Sequence, residues 1–222
     1  MRRTMAKASI HTALNLLFFA LIGTALLAIT YQLTHEPIAR SEEVEKLKLV
    51  TQIAPSSTYD NDIIKDTAEL APDKLLGNDE TTIAYLGRLK DQPSIAVMQV
   101  IAPDGYSGKI SLIIAIHSDG KIGGVRVISH KETPGLGDYI EIAKNKWITG
   151  FNDTSLDNSK DSDWQVKKDG GQFDYMAGAT ITPRAVVKAV HKALQYFAAN
   201  RDKLFATPPP PKEESGIIDG KK

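Results

Sequence analysis

The chain contains no cysteine, and this absence excludes several kinds of chemistry. Thiolate-ligated iron–sulfur clusters, the Cys-x-x-Cys-His attachment of haem and disulfide bonds all need that residue. The five histidines are scattered, and none has the spacing of a metal-binding pair such as His-x-x-x-His: His11, His35, His117, His130 and His191. If the protein moves electrons, the natural carrier is an organic cofactor.

The chain also lacks an excess of charge of either sign. Its 27 lysines and arginines balance 27 aspartates and glutamates, so no overall field favours nucleic acid. Glycine-rich loops of the Gly-x-Gly-x-x-Gly or Walker type are missing, and so is a Ser/His/Asp arrangement in a supporting context. We therefore expect no nucleic-acid partner.

One long apolar run stands near the start of the chain. Ile10–Tyr31 spans 22 residues, which as a helix reach about 33 Å and exceed the roughly 30 Å of a bilayer's hydrocarbon core. A cleaved signal peptide is the alternative interpretation. The run is longer than the roughly 7–15 residues of a signal core, and no clean small-x-small cleavage site follows it. We predict an uncleaved transmembrane helix at residues 10–31.

The charges that flank the apolar run differ between its two sides. The run is preceded by the basic residues Arg2, Arg3 and Lys7. After the run, the first basic residues are mixed with the acidic residues Glu36, Glu42 and Glu43. The positive-inside rule then leaves residues 1–9 in the cytoplasm and exports everything after about residue 33. In a bacterium, a domain at residues 36–200 would lie in the periplasm on a single-pass inner-membrane anchor.

The remainder of the chain predicts an α+β fold, an antiparallel sheet with flanking helices behind the transmembrane helix. A charged helix is expected at Ile38–Ile53 after Pro37, and a helix on an apolar face at Pro183–Ala198. Four strand-like runs are separated by short turns, with Asp119-Gly120 as a hairpin signal: Thr82–Leu89, Ser94–Ile101, Lys109–His117 and Lys121–Ser129.

The less regular segments give weaker predictions. We expect a short helix at Asp138–Trp147 and a last strand at Trp164–Lys168. Residues 201–222 contain Pro208–Pro211 followed by charged residues, a composition typical of a disordered tail.

The segment Gly178-Ala179-Thr180-Ile181-Thr182-Pro183 is the first candidate site. Small residues leave the backbone open, and we expect Thr182 to cap a helix that has Pro183 at its first position. A helix start offers N–H groups and a positive dipole end to a phosphate, which would lie beside the Thr180 hydroxyl. An ordinary loop-to-helix junction explains the same residues, and the segment alone does not decide between them.

Two further loops are candidates. In His130–Gly137, Glu132 and Thr133 could hydrogen-bond a flat polar ring on which Leu136 packs, with Gly137 allowing close approach, although a plain connection also fits. Lys167, before Asp169-Gly170-Gly171, could neutralise a phosphate or be an exposed basic turn. We expect Tyr106 at the edge of the core, with a contact to the cofactor as the alternative. We expect His130 to be an exposed loop residue rather than a base paired with Glu132.

These loops, in this order behind a single span, resemble the G subunits of the Rnf (Rsx) electron-transport complex. That family belongs to the FMN-binding domains and is related to the C subunit of the sodium-pumping NADH:quinone reductase. The likeness extends from the span to about Ala198, and its most specific parts are Glu132–Gly137, Lys167–Gly171 and Gly178–Pro183.

The resemblance implies a covalent cofactor. The family's FMN is joined through its phosphate to the threonine of a Ser/Thr-Gly-Ala-Thr motif, which here is Thr180, with Ala177 at the Ser/Thr position. A flavin transferase with FAD as donor would make the bond, and Asp174 is part of the signal that it reads. The cofactor-binding residues implied are these: Gly178, Ala179, Thr180, Thr182, Glu132, Thr133, Leu136, Gly137 and Lys167.

The resemblance also implies a place in a larger assembly. The chain would be one electron carrier among the other subunits of a membrane complex that couples electron flow between ferredoxin and NAD to ion movement, and would not be a complete enzyme. Two other classes stay open, a membrane-anchored ligand-binding or sensory module and a structural assembly protein without flavin.

Overall fold

A computed structural model describes residues 2–206 of the chain. The first helix, α1, covers Arg2–Ile53 with Pro37 inside it. Its segment Ile10–Ile38 is long and apolar enough to cross a membrane, and it contains the predicted span. The helix predicted at Ile38–Ile53 is not a separate element but the continuation of α1 through Pro37.

The chain divides into two compact units, one ending at Lys46 and the other beginning at Leu47. The second unit has a five-stranded sheet in the order β1-β2-β3-β4-β5, in which all neighbours are antiparallel. The strands are β1 Thr67–Leu70, β2 Thr82–Leu89, β3 Gln92–Gly105, β4 Gly108–His117 and β5 Ile122–Ser129. The second long helix, α2, covers Ile181–Phe205. The α+β prediction and its four strands are therefore confirmed.

Strand β4, which lies between β3 and β5, is buried on both faces of the sheet, as its apolar run predicts. Leu112 and Ile114 pack into the cluster that contains the buried face of α2. Ile113, on the opposite face, packs with Val50 and Ile53 from the end of α1. The sheet thus has one layer of helix against each face within the second unit.

Two predicted elements differ in the structure. The helix expected at Asp138–Trp147 is replaced by 3₁₀ turns at Asp138–Ile140 and Lys146–Phe151, the second capped by the side chain of Asn145. Trp164–Lys168 is not a strand, since Val166 makes only an isolated bridge to Phe173. Its apolar residues Trp164 and Val166 are buried in the cluster that contains the buried face of α2. A loop can bury such side chains as well as a strand can.

Helix α2 begins earlier and ends later than predicted. Ile181 is its first residue and Thr180 occupies the N-cap position, so the assignments of Thr182 as the cap and Pro183 as the first residue were wrong. Pro183 is tolerated in the first turn because N–H groups there have no partner within the helix. The helix continues beyond Ala198 to Phe205. The proline run and the rest of the predicted tail, residues 207–222, lie outside the described residues.

Candidate functional site

A pocket of about 290 Å³ lies where three connecting segments meet. These segments are the β3–β4 turn, the loop after β5 and the start of α2. Every cofactor-binding residue predicted from the sequence lines the pocket except Lys167, and the structure adds Tyr106 and Ile181. The full lining is Tyr106, Glu132, Thr133, Leu136, Gly137, Gly178, Ala179, Thr180, Ile181 and Thr182.

Glu132 joins all three segments. Its side chain is buried, with only 4% of the residue exposed. One carboxylate oxygen accepts the backbone N–H of Ser107 at 3.0 Å, in the β3–β4 turn. The other accepts the hydroxyl of Thr182 in the first turn of α2. A buried carboxylate that accepts hydrogen bonds from two segments holds them at a fixed distance from each other. The loop that carries Glu132 is the third segment of the pocket.

The histidine of this loop is tied on both sides of its ring. His130 Nδ1 accepts the backbone N–H of Glu132 at 2.9 Å, and Nε2 lies 2.6 Å from a carboxylate oxygen of Glu141. This pattern requires a bare Nδ1, with the ring proton on Nε2 donated to Glu141. The expectation that His130 is an exposed loop residue is wrong, since only 10% of its side chain is exposed. It anchors the backbone from which Glu132 projects.

Glycine is required where this loop meets α2. A Cβ added at Gly137 would lie 2.9 Å from the Cβ of Glu132 and 3.0 Å from the Thr182 hydroxyl oxygen. Contacts this short force neighbouring atoms to move. The close approach of the loop to the helix therefore depends on the missing side chain. The close approach of a ligand, which the sequence suggests for Gly137, stays a prediction.

The two threonines of the motif have different surroundings. Thr182 is 1% exposed and its hydroxyl is donated to Glu132. Thr180 is half-buried in the pocket wall and makes no side-chain cap hydrogen bond, although it stands at the N-cap position. Its backbone is in the right-handed helical region, with φ −79° and ψ −24°, whereas a capping residue is typically extended. Within residues 2–206, therefore, the Thr182 hydroxyl makes a hydrogen bond and the Thr180 hydroxyl makes none.

Ahead of Thr180 the chain makes a tight turn. The N–H of Ala179 donates to the carbonyl of Met176 at 3.0 Å. Gly178 has φ +86°, a left-handed conformation that glycine adopts without strain, and no atom lies within 4 Å of where its Cβ would be. Ala177 is exposed in the same turn. The backbone on this side of Thr180 is open to an approaching group.

Lys167 does not line the pocket. Its ammonium lies 2.6 Å from a carboxylate oxygen of Asp174, and both side chains are more than half exposed. Asp174 is also held through its carbonyl, which accepts the indole N–H of Trp147 at 2.7 Å. Trp147 in turn packs edge-on against Tyr139 and Phe151. The structure thus connects Lys167 to the segment before the motif and anchors that segment on the aromatic core.

Two more ion pairs lie at the start of α2. Arg184 binds Asp169 through Nε and Nη2, each at 2.6 Å from a carboxylate oxygen. Lys188, one turn later, lies 2.6 Å from Asp104 at the end of β3. These hydrogen-bonded cations hold the pKa of Asp169 and of Asp104 below the ordinary range of an aspartate. Both carboxylates are therefore charged at neutral pH.

Apolar side chains surround the mouth of the pocket. Tyr106, Leu136 and Ile181 all line it and are 67%, 47% and 46% exposed. Tyr106 is consequently not at the core edge, where the sequence analysis placed it. The signal that could have found it is the turn sequence Asp104-Gly105-Tyr106-Ser107-Gly108, which sets an aromatic ring at a hairpin tip, where packing into the core is difficult.

Two family models match separate parts of this chain. Residues 105–195 match the family model of the FMN-binding domain, and residues 4–53 match that of the RnfG N-terminal region. The chain is 46% identical over 215 residues to the G subunit of the ion-translocating oxidoreductase complex of Pseudomonas aeruginosa, with 97% of each chain covered. The corresponding protein of Aliivibrio fischeri is 43% identical over 94% of this chain and 97% of its own. The chain belongs to this RnfG family.

The two family matches divide along the structure. The match to the RnfG N-terminal region coincides closely with α1, which ends at Ile53. The FMN-binding match begins at Gly105, beside the pocket residue Tyr106, and extends into α2. It therefore includes all three segments that line the pocket, while β1 and β2 lie outside it.

Proposed function

We propose that this chain is the flavoprotein component of a membrane-bound, ion-translocating electron-transport complex, with FMN attached as a phosphoester of Thr180. FMN would supply a group that takes up and releases electrons, and the chain's own residues would hold and orient it. Within the complex, the chain would be one carrier in a relay between other subunits.

The pocket fits a flavin in size and chemistry. Its volume of about 290 Å³ is close to the lower end of the roughly 300–1,000 Å³ typical of ligand sites. Leu136 and Tyr106 offer apolar contact to a flat ring, and Thr133 and Glu132 offer polar atoms to its edge. Because the mouth is lined by exposed side chains, a ring held there would stay within reach of a partner protein.

The observation that carries the proposal is the unoccupied hydroxyl of Thr180. An N-cap threonine normally uses its oxygen to accept a backbone N–H, and this one does not. The competing hydroxyl, Thr182, is buried and committed to Glu132. Esterifying Thr180 therefore breaks no hydrogen bond within the described residues, whereas esterifying Thr182 would break a buried one.

The attachment chemistry balances with FAD as the donor. The Thr180 oxygen forms a bond to the phosphorus nearer the riboflavin, and the bond from that phosphorus to the bridging oxygen of the pyrophosphate breaks. AMP leaves, and the hydroxyl proton passes to a base of the flavin transferase. Because the cofactor is then covalently held, the exposed pocket needs no further binding energy to retain it.

The apolar segment of α1 supports a single-pass membrane anchor, and the charges around it support a periplasmic domain. This placement is testable because the chain has no cysteine, so single introduced cysteines have no background. In spheroplasts, a membrane-impermeant maleimide should label Asp157→Cys and leave Thr4→Cys unlabelled until lysis. The reverse pattern would contradict the orientation.

Flavin attachment is tested by co-producing the full chain with a flavin transferase in the presence of FAD and viewing a denaturing gel under ultraviolet light. The wild type and Thr182→Ala should give a fluorescent band, and Thr180→Ala should not. A wild-type band without fluorescence would instead support a sensory or structural role without flavin. Fluorescence lost only in Thr182→Ala would move the attachment to that residue.

A further inference from the structure

Arg184 lies one helical turn after Thr180. The two residues are connected directly, since the N–H of Arg184 donates to the carbonyl of Thr180 at 3.4 Å. Residues four apart share a helix face, with Cβ atoms about 5–6 Å apart. Long side chains on a helix lean towards its N-terminus, over the preceding turn. The arginine is therefore placed on the side of α2 that carries the Thr180 side chain.

The guanidinium of Arg184 is only partly used in its ion pair. Nε and Nη2 bind the two oxygens of Asp169, and no acceptor within residues 2–206 is assigned to Nη1. The bidentate pair fixes the plane of the guanidinium because both partners are planar forks. Asp169 thus orients an arginine whose remaining N–H groups are available to a second anion.

The backbone at this position has few donors of its own. Pro183, the third residue of α2, has no N–H, and the N–H of Arg184 already donates to Thr180. The first turn then offers the N–H groups of Ile181 and Thr182, which carry no net charge. A side-chain cation would therefore supply the positive charge that balances a phosphoryl group on Thr180. Lys167, the cation predicted from the sequence, is paired with Asp174. Neither Lys167 nor Arg184 lines the pocket, and of the two it is Arg184 that the first turn of α2 connects to Thr180.

We propose that Arg184 binds the phosphoryl oxygens of the phosphoester on Thr180, and that Asp169 is a positioning residue that presents it. This inference rests on the proposed function, because it takes the phosphate to be attached at Thr180. The ligand class is a phosphodiester with one negative charge, which a guanidinium can contact through Nη1 without releasing Asp169.

The test is phosphorus NMR on the full-length, flavin-carrying chain in detergent. Wild type is compared with Arg184→Gln, which removes the charge, with Arg184→Lys, which keeps the charge without the fork, and with Lys188→Gln. Lys188→Gln is the matched control because it also removes an exposed, ion-paired cation, one turn further along α2. Each sample is recorded native and unfolded, so that the native shift is measured against the same protein without tertiary contacts.

The native phosphodiester resonance of Arg184→Gln should move towards the unfolded position. Arg184→Lys should recover part of the difference, and Lys188→Gln should match wild type. A native resonance in Arg184→Gln that coincides with wild type would overturn the assignment, as would an equal displacement in Lys188→Gln. Failure of the proposed function looks different, since the wild type itself would then carry neither fluorescence nor a phosphodiester resonance.

Discussion

Replacing Glu132 with alanine should loosen the three segments of the pocket together. The carboxylate accepts hydrogen bonds from Ser107 and Thr182, and a hydrogen bond to a charged group contributes about 1.5–3 kcal/mol. The exposed backbone at Ser107 can bond to water instead, so little of its bond is lost. Thr182 is 1% exposed, so its hydroxyl would be left without a partner in the interior. We expect the free energy of unfolding to fall by about 2–4 kcal/mol.

Glu132→Gln separates the hydrogen bonds from the charge. The glutamine carbonyl can accept the Ser107 N–H while its amide donates to the Thr182 oxygen. We expect this variant to lose less than about 1 kcal/mol, since both contacts are retained. In the flavin-carrying protein, loss of a nearby negative charge should raise the reduction potential of the flavin, because added electrons are then repelled less.

The assay is thermal unfolding of the purified chain in detergent, monitored by near-ultraviolet circular dichroism. At about 2–4 °C per kcal/mol for a folded unit of this size, Glu132→Ala should lower Tm by roughly 5–15 °C and Glu132→Gln by much less. An alanine variant as stable as wild type would refute the role of the carboxylate in joining the segments. Equal losses in both variants would show that the charge, and not the hydrogen bonds, holds them.

Three further predictions concern the fold around the site. Asp66→Ala should cost about 1.5–3 kcal/mol in chemical denaturation, because it removes the carboxylate oxygen that accepts the Arg88 Nε–H at 2.7 Å and the Asn61 amide at 2.9 Å. A loss below about 0.5 kcal/mol would contradict this. Burial lowers the pKa of His191 below its ordinary value of 6.5, so the unfolded chain takes up the proton first. The stabilisation by neutral His191 is present above about pH 6.5 and is lost as the pH falls through the pKa of the folded state. In His191→Gln, Tm should therefore depend less on pH in this range. A pH dependence of Tm equal to that of wild type would contradict the prediction. Gly137→Ala should destabilise by about 1–3 kcal/mol through overpacking, while Gly150→Ala, whose added Cβ meets nothing within 4 Å, should be near neutral in the same unfolding experiment.

The sheet was predictable because its strands satisfy local rules. The run Ile110–Ile116 is almost wholly apolar. In the turn that follows β4, Gly120 has φ +88°, a left-handed conformation that glycine adopts without strain. Strand β1 was missed because only Ala68 and Leu70 of its four residues are buried. Its pairing with β2 supplies the stability that its own sequence does not predict.

The pocket was predictable as a set of residues and not as a set of contacts. The glycine, alanine and threonine residues of the motif and four residues of the loop Glu132–Gly137 were identified from composition and resemblance, and they do line one pocket. The hydrogen bond between Glu132 and Thr182 joins positions fifty residues apart, and no local pattern predicts such a partner. The capping assignment failed for the same reason, because Thr182 bonds across the pocket while the helix starts one residue before it.

The attachment of FMN at Thr180 is tested most directly by peptide mass spectrometry of the flavin-carrying chain. Trypsin releases residues 169–184, in which Thr180, Thr182 and Tyr175 are the only hydroxyl side chains. Fragmentation on either side of Ile181 separates the two threonines. We expect the added mass of one FMN phosphoester on fragments that contain Thr180 and exclude Thr182. The same mass on Thr182, or an unmodified peptide from protein made with the transferase and FAD, would contradict it.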